Sequence, residues 1–297
     1  MSWIYYVITT PFIIILLIIL YLIIKTYNNI DNFIDFIQNI AKSTHFNFYI
    51  ESVSENMQKV KLGKHKSPNN FKDEYLKNLK LIDKKFNSML TKYILKCNIL
   101  VEDIPIFQKY EWKFLMSTNN LELGMPYTIN DTIIIPENLL NSIYIDYIRN
   151  NKLQNAFINT LIHEKIHIIQ RFNQKKFNKY YKSRYDFVKR LYTLPIPDHI
   201  NNLHMNNPDS NNQIWIYNIS NREYYTLLKY NHNNIYSIGI DVKTKKEINI
   251  DNLKNKLGFK SDISIYHPNE IFACEVAKKI QKNNIKDMDI KYLKSLK

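Results

Sequence analysis

LIHEKIHIIQ, Leu161 to Gln170, sets two histidines four residues apart in an otherwise apolar run, with a glutamate directly after the first. On an α-helix, residues i and i+4 share a face one turn apart, so His163 and His167 can present two imidazoles to one metal ion. Glu164 projects about 100° further round the axis. That places it beside such an ion but off its ligands, where a general base acting on water belongs. Proline is absent here, and Phe157, Ile158, Leu161, Ile162, Ile166, Ile168 and Ile169 predict a buried helix over about Asn155 to Phe172. The plainer alternative is a pair of hydrogen-bonded core histidines. Burying them with a glutamate among isoleucines carries a heavy desolvation cost, which a bound cation offsets.

A catalytic zinc takes three protein ligands and keeps one position open. In the metzincin pattern a histidine six residues after the second is the third ligand, with a glycine between them; Asn173 and Gln170 stand at those positions, which excludes that class. A glutamate on a later helix is the other route. YHPNEIFACEVAKKI, Tyr266 to Ile280, offers Glu270 in the first turn of a helix opening at Pro268 and running to about Gln281. Ala273, Cys274 and Ala277 are small enough to let that helix approach the first closely. Glu275 and His267 are further candidates, and favourable charge placement at a helix N-terminus is the plain role of Glu270.

His163-Glu164-x-x-His167 together with Pro268-Asn269-Glu270-Ile271-Phe272-Ala273 resembles the gluzincin type of zinc metallopeptidase. It is similar in particular to uncharacterised metallopeptidase-like proteins encoded by large DNA viruses and some microbes. GMPYTINDTIIIP (Gly124 to Pro136) and NPDSNNQIWIY (Asn207 to Tyr217) resemble their upstream and middle regions, although Tyr127 stands where a histidine is frequent. The likeness covers roughly Trp112 to Gln281. It implies one Zn2+ held by His163, His167 and Glu270, Glu164 as the general base, and a peptide or protein substrate. It also implies a zincin-like domain with a small mixed sheet. The strand near Ile133 to Ile135 is the natural edge for pairing with an extended peptide. A donor to the oxyanion is expected among Tyr224, Tyr225, Tyr236, Tyr266 and His232. The alternative function is a zincin-fold interaction protein, tethered to a membrane and without turnover.

Around this centre the pattern is α+β. Ile30, Phe33, Ile34, Ile37 and Ile40 predict a short amphipathic helix, and the polar stretch from about Ser52 to Asn70 reads as a linker. Tyr75, Leu79, Ile82, Phe86, Met89 and Tyr93 predict one long helix. Strands are expected at Trp112 to Met116 and Thr132 to Ile135, and an antiparallel meander at Ile214 to Tyr217, Tyr224 to Tyr230 and Ile235 to Ile240. The domains expected are a transmembrane anchor at 1–25, a juxtamembrane helix and linker at 26–70, and the zincin-like domain at 71–297.

Ser2 to Ile24 carries no charged side chain, and PFIIILLIILYLII (Pro11 to Ile24) is almost purely aliphatic, long enough to span a bilayer. The flank before it holds no Lys or Arg and no small-residue cleavage site follows, which argues against a signal peptide. A single-pass protein anchored in the bilayer through residues 4–24 is therefore expected, in a host or virion membrane if viral. Lys25 and the basic chain after it point to a cytoplasmic soluble domain. The net charge of +14 is spread along the chain without a nucleic-acid signature, so nucleic acid is not an expected partner. Cys97 and Cys274, the only cysteines, are too few for a disulfide framework.

Overall fold

The computed structural model describes residues 33–185, 188–191, 196–210, 214–231, 234–257, 266–284 and 286–296. The chain divides into two units, 1–43 and 44–297. Of the first, the described part is a helix over 33–42 (α1), where the Phe33, Ile34, Ile37 and Ile40 spacing predicts one.

The expected single-pass membrane localisation is corrected. Among the described residues no helix is long and apolar enough to cross a membrane. The longest of them, at 18 residues, carries His, Glu, Lys, Gln and Arg side chains. The run on which the expectation rested, 1–25, lies outside the described residues.

The second unit opens with α2 (Thr44–Ser52), α3 (Glu55–Leu62) and α4 (Phe71–Lys77), then β1 (Leu79–Lys80) and α5 (Lys84–Leu100). The sequence expectation of a linker over Ser52 to Asn70 is corrected by α3. This helix buries Met57 and Leu62, and Gly63 ends it in the left-handed conformation, its N–H reaching back to Val60 O. The single helix expected from Tyr75 to Tyr93 is also broken, because Leu79 and Lys80 pair antiparallel with Ser117 and Met116. Two short ladder pairs thus override a helical spacing.

Next come β2 (Lys113–Ser117), a tight turn over Leu121–Gly124, β3 (Tyr127–Ile129), β4 (Thr132–Pro136) and α6 (Glu137–Asn150). The first sheet has the order β1-β2-β4-β3, with β2 and β4 parallel and the other pairs antiparallel. Every residue of β4 is buried, and the strand lies between β2 and β3. The expected edge strand near Ile133 to Ile135 is therefore interior, and β3 holds the edge.

α7 (Asn155–Phe172) carries the His-Glu-x-x-His motif with the bounds its isoleucine spacing predicts. It stops at Asn173, whose amide donates to Ile169 O at 2.9 Å and to the Tyr110 hydroxyl at 3.0 Å, and the chain turns into α8 (Gln174–Arg184). β5 (Val188–Leu191), α9 (Asp198–Asn201), β6 (Ile214–Ile219), β7 (Arg222–Asn231), β8 (Asn234–Asp241) and β9 (Glu247–Asn249) follow. The five strands form an antiparallel meander in chain order. Period-two alternation splits β6: Trp215, Tyr217 and Ile219 join the main core, and Ile216 faces a smaller core with Leu227 and Ile240.

After α10 (Ile250–Leu257), α11 (Pro268–Gln281) lies against α7, with Ala273 and Ala277 fully buried. α12 (Met288–Ser295) docks through Asp289, a buried carboxylate that accepts from Tyr180 (2.7 Å), Lys279 (3.0 Å) and Arg184 (3.3 Å). Fold class α+β holds.

Leu203 to Met205 lies along the far half of β7, with Met205 N–H donating to Leu228 O (2.9 Å) and Tyr230 N–H to Leu203 O (2.8 Å). There burial, with the Lys61 charge added, pushes the His204 imidazole down to about 4. An unfolded histidine titrates near 6.5, so between those values the unfolded chain binds the proton and the folded chain does not. Stability contributed by neutral His204 is complete above about pH 6.5 and is lost as the pH falls toward 4. Urea midpoints measured across this window should decline less steeply in His204→Gln than in the unmodified protein; equal slopes would refute the assignment.

Candidate metal centre

α7 and α11 bring three donors together. His163 and His167, one turn apart, have their Nε2 atoms 2.9 Å apart and their rings nearly perpendicular, at 83°. Glu270, in the first turn of α11, sets Oε2 at 3.3 Å from His163 Nε2 and Oε1 at 3.3 Å from His167 Nε2. All the donor atoms lie within 4.8 Å of one another. A tetrahedral ion with bonds of about 2.0–2.1 Å sets its ligands about 3.3 Å apart, so this spacing suits one divalent transition ion with a position left open.

The other candidates are not part of this group. His267 is the N-cap of α11, its Nδ1 accepting from Asn269 N–H at 3.1 Å. Glu275 pairs with Lys279 at 3.5 Å. Of the hydroxyls considered, that of Tyr266 reaches the centre, donating to Glu270 Oε1 at 3.2 Å. Tyr224 and Tyr225 lie within the meander, Tyr236 is exposed, and His232 is outside the described residues.

The neighbourhood is rich in buried carboxyl groups. Glu164, Asp209 and Glu270 converge there, and Arg171, 3.3 Å from Asp209, is the guanidinium that answers them. Glu164 Oε2 is buried and has no hydrogen-bond partner among the described residues. Burial, then the charge of Asp209, raises the Glu164 carboxyl well above the usual carboxylate range. Burial alone would lower His167, yet Glu270 and then Asp209 raise it to about 10. Burial likewise opposes ionisation of Glu270, but His167 and hydrogen bonds from both imidazoles hold it well below its ordinary value. A cation entering here competes with the proton on His167 and meets carboxylates already gathered, so the donor set fits a metal ion.

The surroundings fix each donor. His167 Nδ1 lies 2.8 Å from Gln170 Oε1, and the Gln170 amide donates to the Tyr181 hydroxyl (2.9 Å) and to Asn269 O (3.0 Å). With Nδ1–H directed at Gln170, His167 turns Nε2 toward Glu270 and His163, where a cation that displaces its proton would find the lone pair. Asn207 donates to Glu270 Oε1 at 3.1 Å and also to the Tyr266 hydroxyl. The turn Pro208–Ser210 is pinned in its turn. Asp209 N–H donates to Asn207 Oδ1 (2.8 Å), and the Asp209 carboxylate accepts from Thr128 N–H (3.2 Å), the Thr128 hydroxyl and Arg171.

His163, Glu164 and Glu270 line a cleft of about 350 Å³ whose apolar rim includes Met125, Met205 and Leu228. Sequence reasoning missed Gln170, Arg171, Asn207 and Asp209. Gln170, three residues after His167 on the same helix face, had a readable signal; the Arg171 to Asp209 pairing had none.

Gln170→Ala would leave the His167 ring unheld. Removal of such a supporting contact typically weakens metal affinity by about 10–100-fold. Competitive titration of zinc against a chromophoric chelator measures this; unchanged affinity would show that Gln170 does not orient the ligand.

Comparison of the chain with protein-family models, with curated proteins and with solved structures gives no match.

Proposed function

We propose that this chain is a zinc-dependent metallopeptidase of gluzincin type with a zincin-like fold, hydrolysing peptide bonds. The observation that carries the reading is the meeting of His163, His167 and Glu270 around one point, with the Glu164 carboxylate beside it lining the same cleft. His163, His167 and Glu270 would hold the ion, and zinc suits two imidazoles, one carboxylate and an open position. Zinc bound there supplies a Lewis acid for a scissile carbonyl.

The residues do the rest. Glu164 Oε2, without a hydrogen-bond partner among the described residues, accepts a proton from the attacking water as the new C–O bond forms. Its position away from the three donors leaves it free for this, and a structural ion site has no use for a buried carboxylate there. As the C–N bond breaks, Glu164 passes the proton to the departing amine nitrogen. Burial raises the basicity of this carboxylate and so favours the first half of the cycle, in which it takes the proton. Gln170 keeps His167 in one tautomer, and Asn207 with Tyr266 keeps Glu270 turned toward the imidazoles.

Elemental analysis of the unmodified chain should find about one zinc per molecule, and a chelator should abolish peptide cleavage that added zinc restores. Glu164→Gln should retain the zinc while cleavage of a mixed peptide library falls by about 10²–10⁴-fold, the usual contribution of a general base. Glu270→Ala should lower zinc affinity. An unmodified protein without zinc would overturn the reading, and so would full activity in Glu164→Gln.

A further inference from the structure

An extended peptide can add to an exposed sheet edge, yet the edge beside this centre is already taken. Thr128 N–H donates to Asp209 Oδ1 at 3.2 Å, and Thr128 O accepts from Arg171 at 3.3 Å. Asn130 O, the next outward carbonyl, accepts from the same guanidinium at 2.6 Å. No peptide can pair alongside Thr128 and Asn130 without displacing a buried ion pair. The cleft wall facing His163 is instead the chain just before β3, where Glu122, Met125 and Pro126 line the cavity.

That chain has an unusual backbone. Glu122, Leu123 and Gly124 take successive φ values of 51°, 57° and 71°, a left-handed run in which only the glycine is at ease. At Gly124 a Cβ would lie 2.8 Å from Asn119 O. Such a run persists only where its surroundings over-determine it, and here they act on one side chain. Glu122 is buried, and its carboxylate accepts from Lys61 Nζ (2.5 Å), the Tyr75 hydroxyl (3.0 Å) and the Tyr49 hydroxyl. Lys61 Nζ also donates to Asn206 O at 2.7 Å, one residue before the Asn207 that holds Glu270. The pin therefore ties the wall to the far side of the cleft.

We propose that Glu122 is a positioning residue for the substrate: held by Lys61, Tyr49 and Tyr75, it sets the left-handed segment so that Gly124 to Pro126, and not the β3 edge, is the wall along which a peptide is bound. Pro126 has no N–H, and Met125 N–H is turned onto Glu122 O at 3.3 Å, so neither residue offers a backbone donor to a peptide. The substrate it suits is a short peptide segment that brings its own N–H donors, with an apolar side chain to lie on Met125, which is 41% exposed. This inference rests on the metallopeptidase reading.

The test uses the full chain loaded with Co2+, whose visible absorption reports the metal. Acetohydroxamate probes the metal alone, and N-acetyl-Leu-Ala hydroxamate probes the metal and the wall. In Lys61→Met/Glu122→Gln, which removes both buried charges together, the Kd of the dipeptide hydroxamate should rise about tenfold or more, as misplacement of a binding group does. The Kd of acetohydroxamate and the cobalt spectrum should not change. Tyr49→Phe removes one donor without creating a buried charge and should give a smaller shift in the same direction. Equal losses for both hydroxamates, or an unaltered dipeptide Kd in either variant, would overturn the positioning role while leaving the metal reading intact. An unmodified chain that binds no cobalt would remove both.

Discussion

The closeness of α7 and α11 is the constraint on which the centre depends. Glu270 can stand 3.3 Å from two imidazoles because Ala273 and Ala277, fully buried beneath it, let one helix approach the other. Larger side chains there would push the carboxylate away from Nε2 before they cost any burial energy. Pro268 and the His267 cap then fix where α11 begins, and so which residue occupies its first turn. Donor geometry is in this sense a property of helix packing, set by side chains that touch no ion.

Gathering carboxylates at the join of two helices is expensive unless something opposes them. Arg171, two turns along α7 from His163, does part of this and also organises the neighbourhood. Its guanidinium reaches Asn130 O, Thr128 and Asp209, so one side chain holds β3 and the Pro208–Ser210 turn against α7. Because Asp209 receives Thr128 N–H as well, a strand edge that would otherwise be open to aggregation is covered from within. Coverage of the edge and compensation of charge are the same contact.

What the sequence made legible follows from locality. The isoleucine spacing of Asn155 to Phe172 and the proline at 268 specify two helices by short-range rules, and both are found with those bounds. Each β-strand expected from apolar runs is also present: Trp112 to Met116 is found one residue on at Lys113–Ser117, and the others are longer by one to three residues. Failures came where a distant contact outweighed the local pattern. Residues 55–62 look polar enough for a linker until Lys61 meets Glu122, 61 positions away. Leu79 fits a helical stripe until it pairs with Ser117. The Ile133 to Ile135 strand looks like any other, and only the parallel alignment with β2 on one side and the antiparallel β3 on the other make it interior.

Two buried ion pairs, Lys61–Glu122 and Arg171–Asp209, flank the cleft. Replacing such a pair by well-packed apolar groups is often neutral or better, because desolvation consumes most of the Coulomb gain. The left-handed run at Glu122 and Leu123 adds roughly 1–2 kcal/mol per residue of further cost. An apolar core could hold the same helices more cheaply, but it would not hold a backbone in one sparsely populated conformation. Directional bonds do that: three donors on one Glu122 carboxylate leave it a single orientation, and the chain attached to it a single course along the cleft. Stability has been exchanged for definition at the two walls of the cleft.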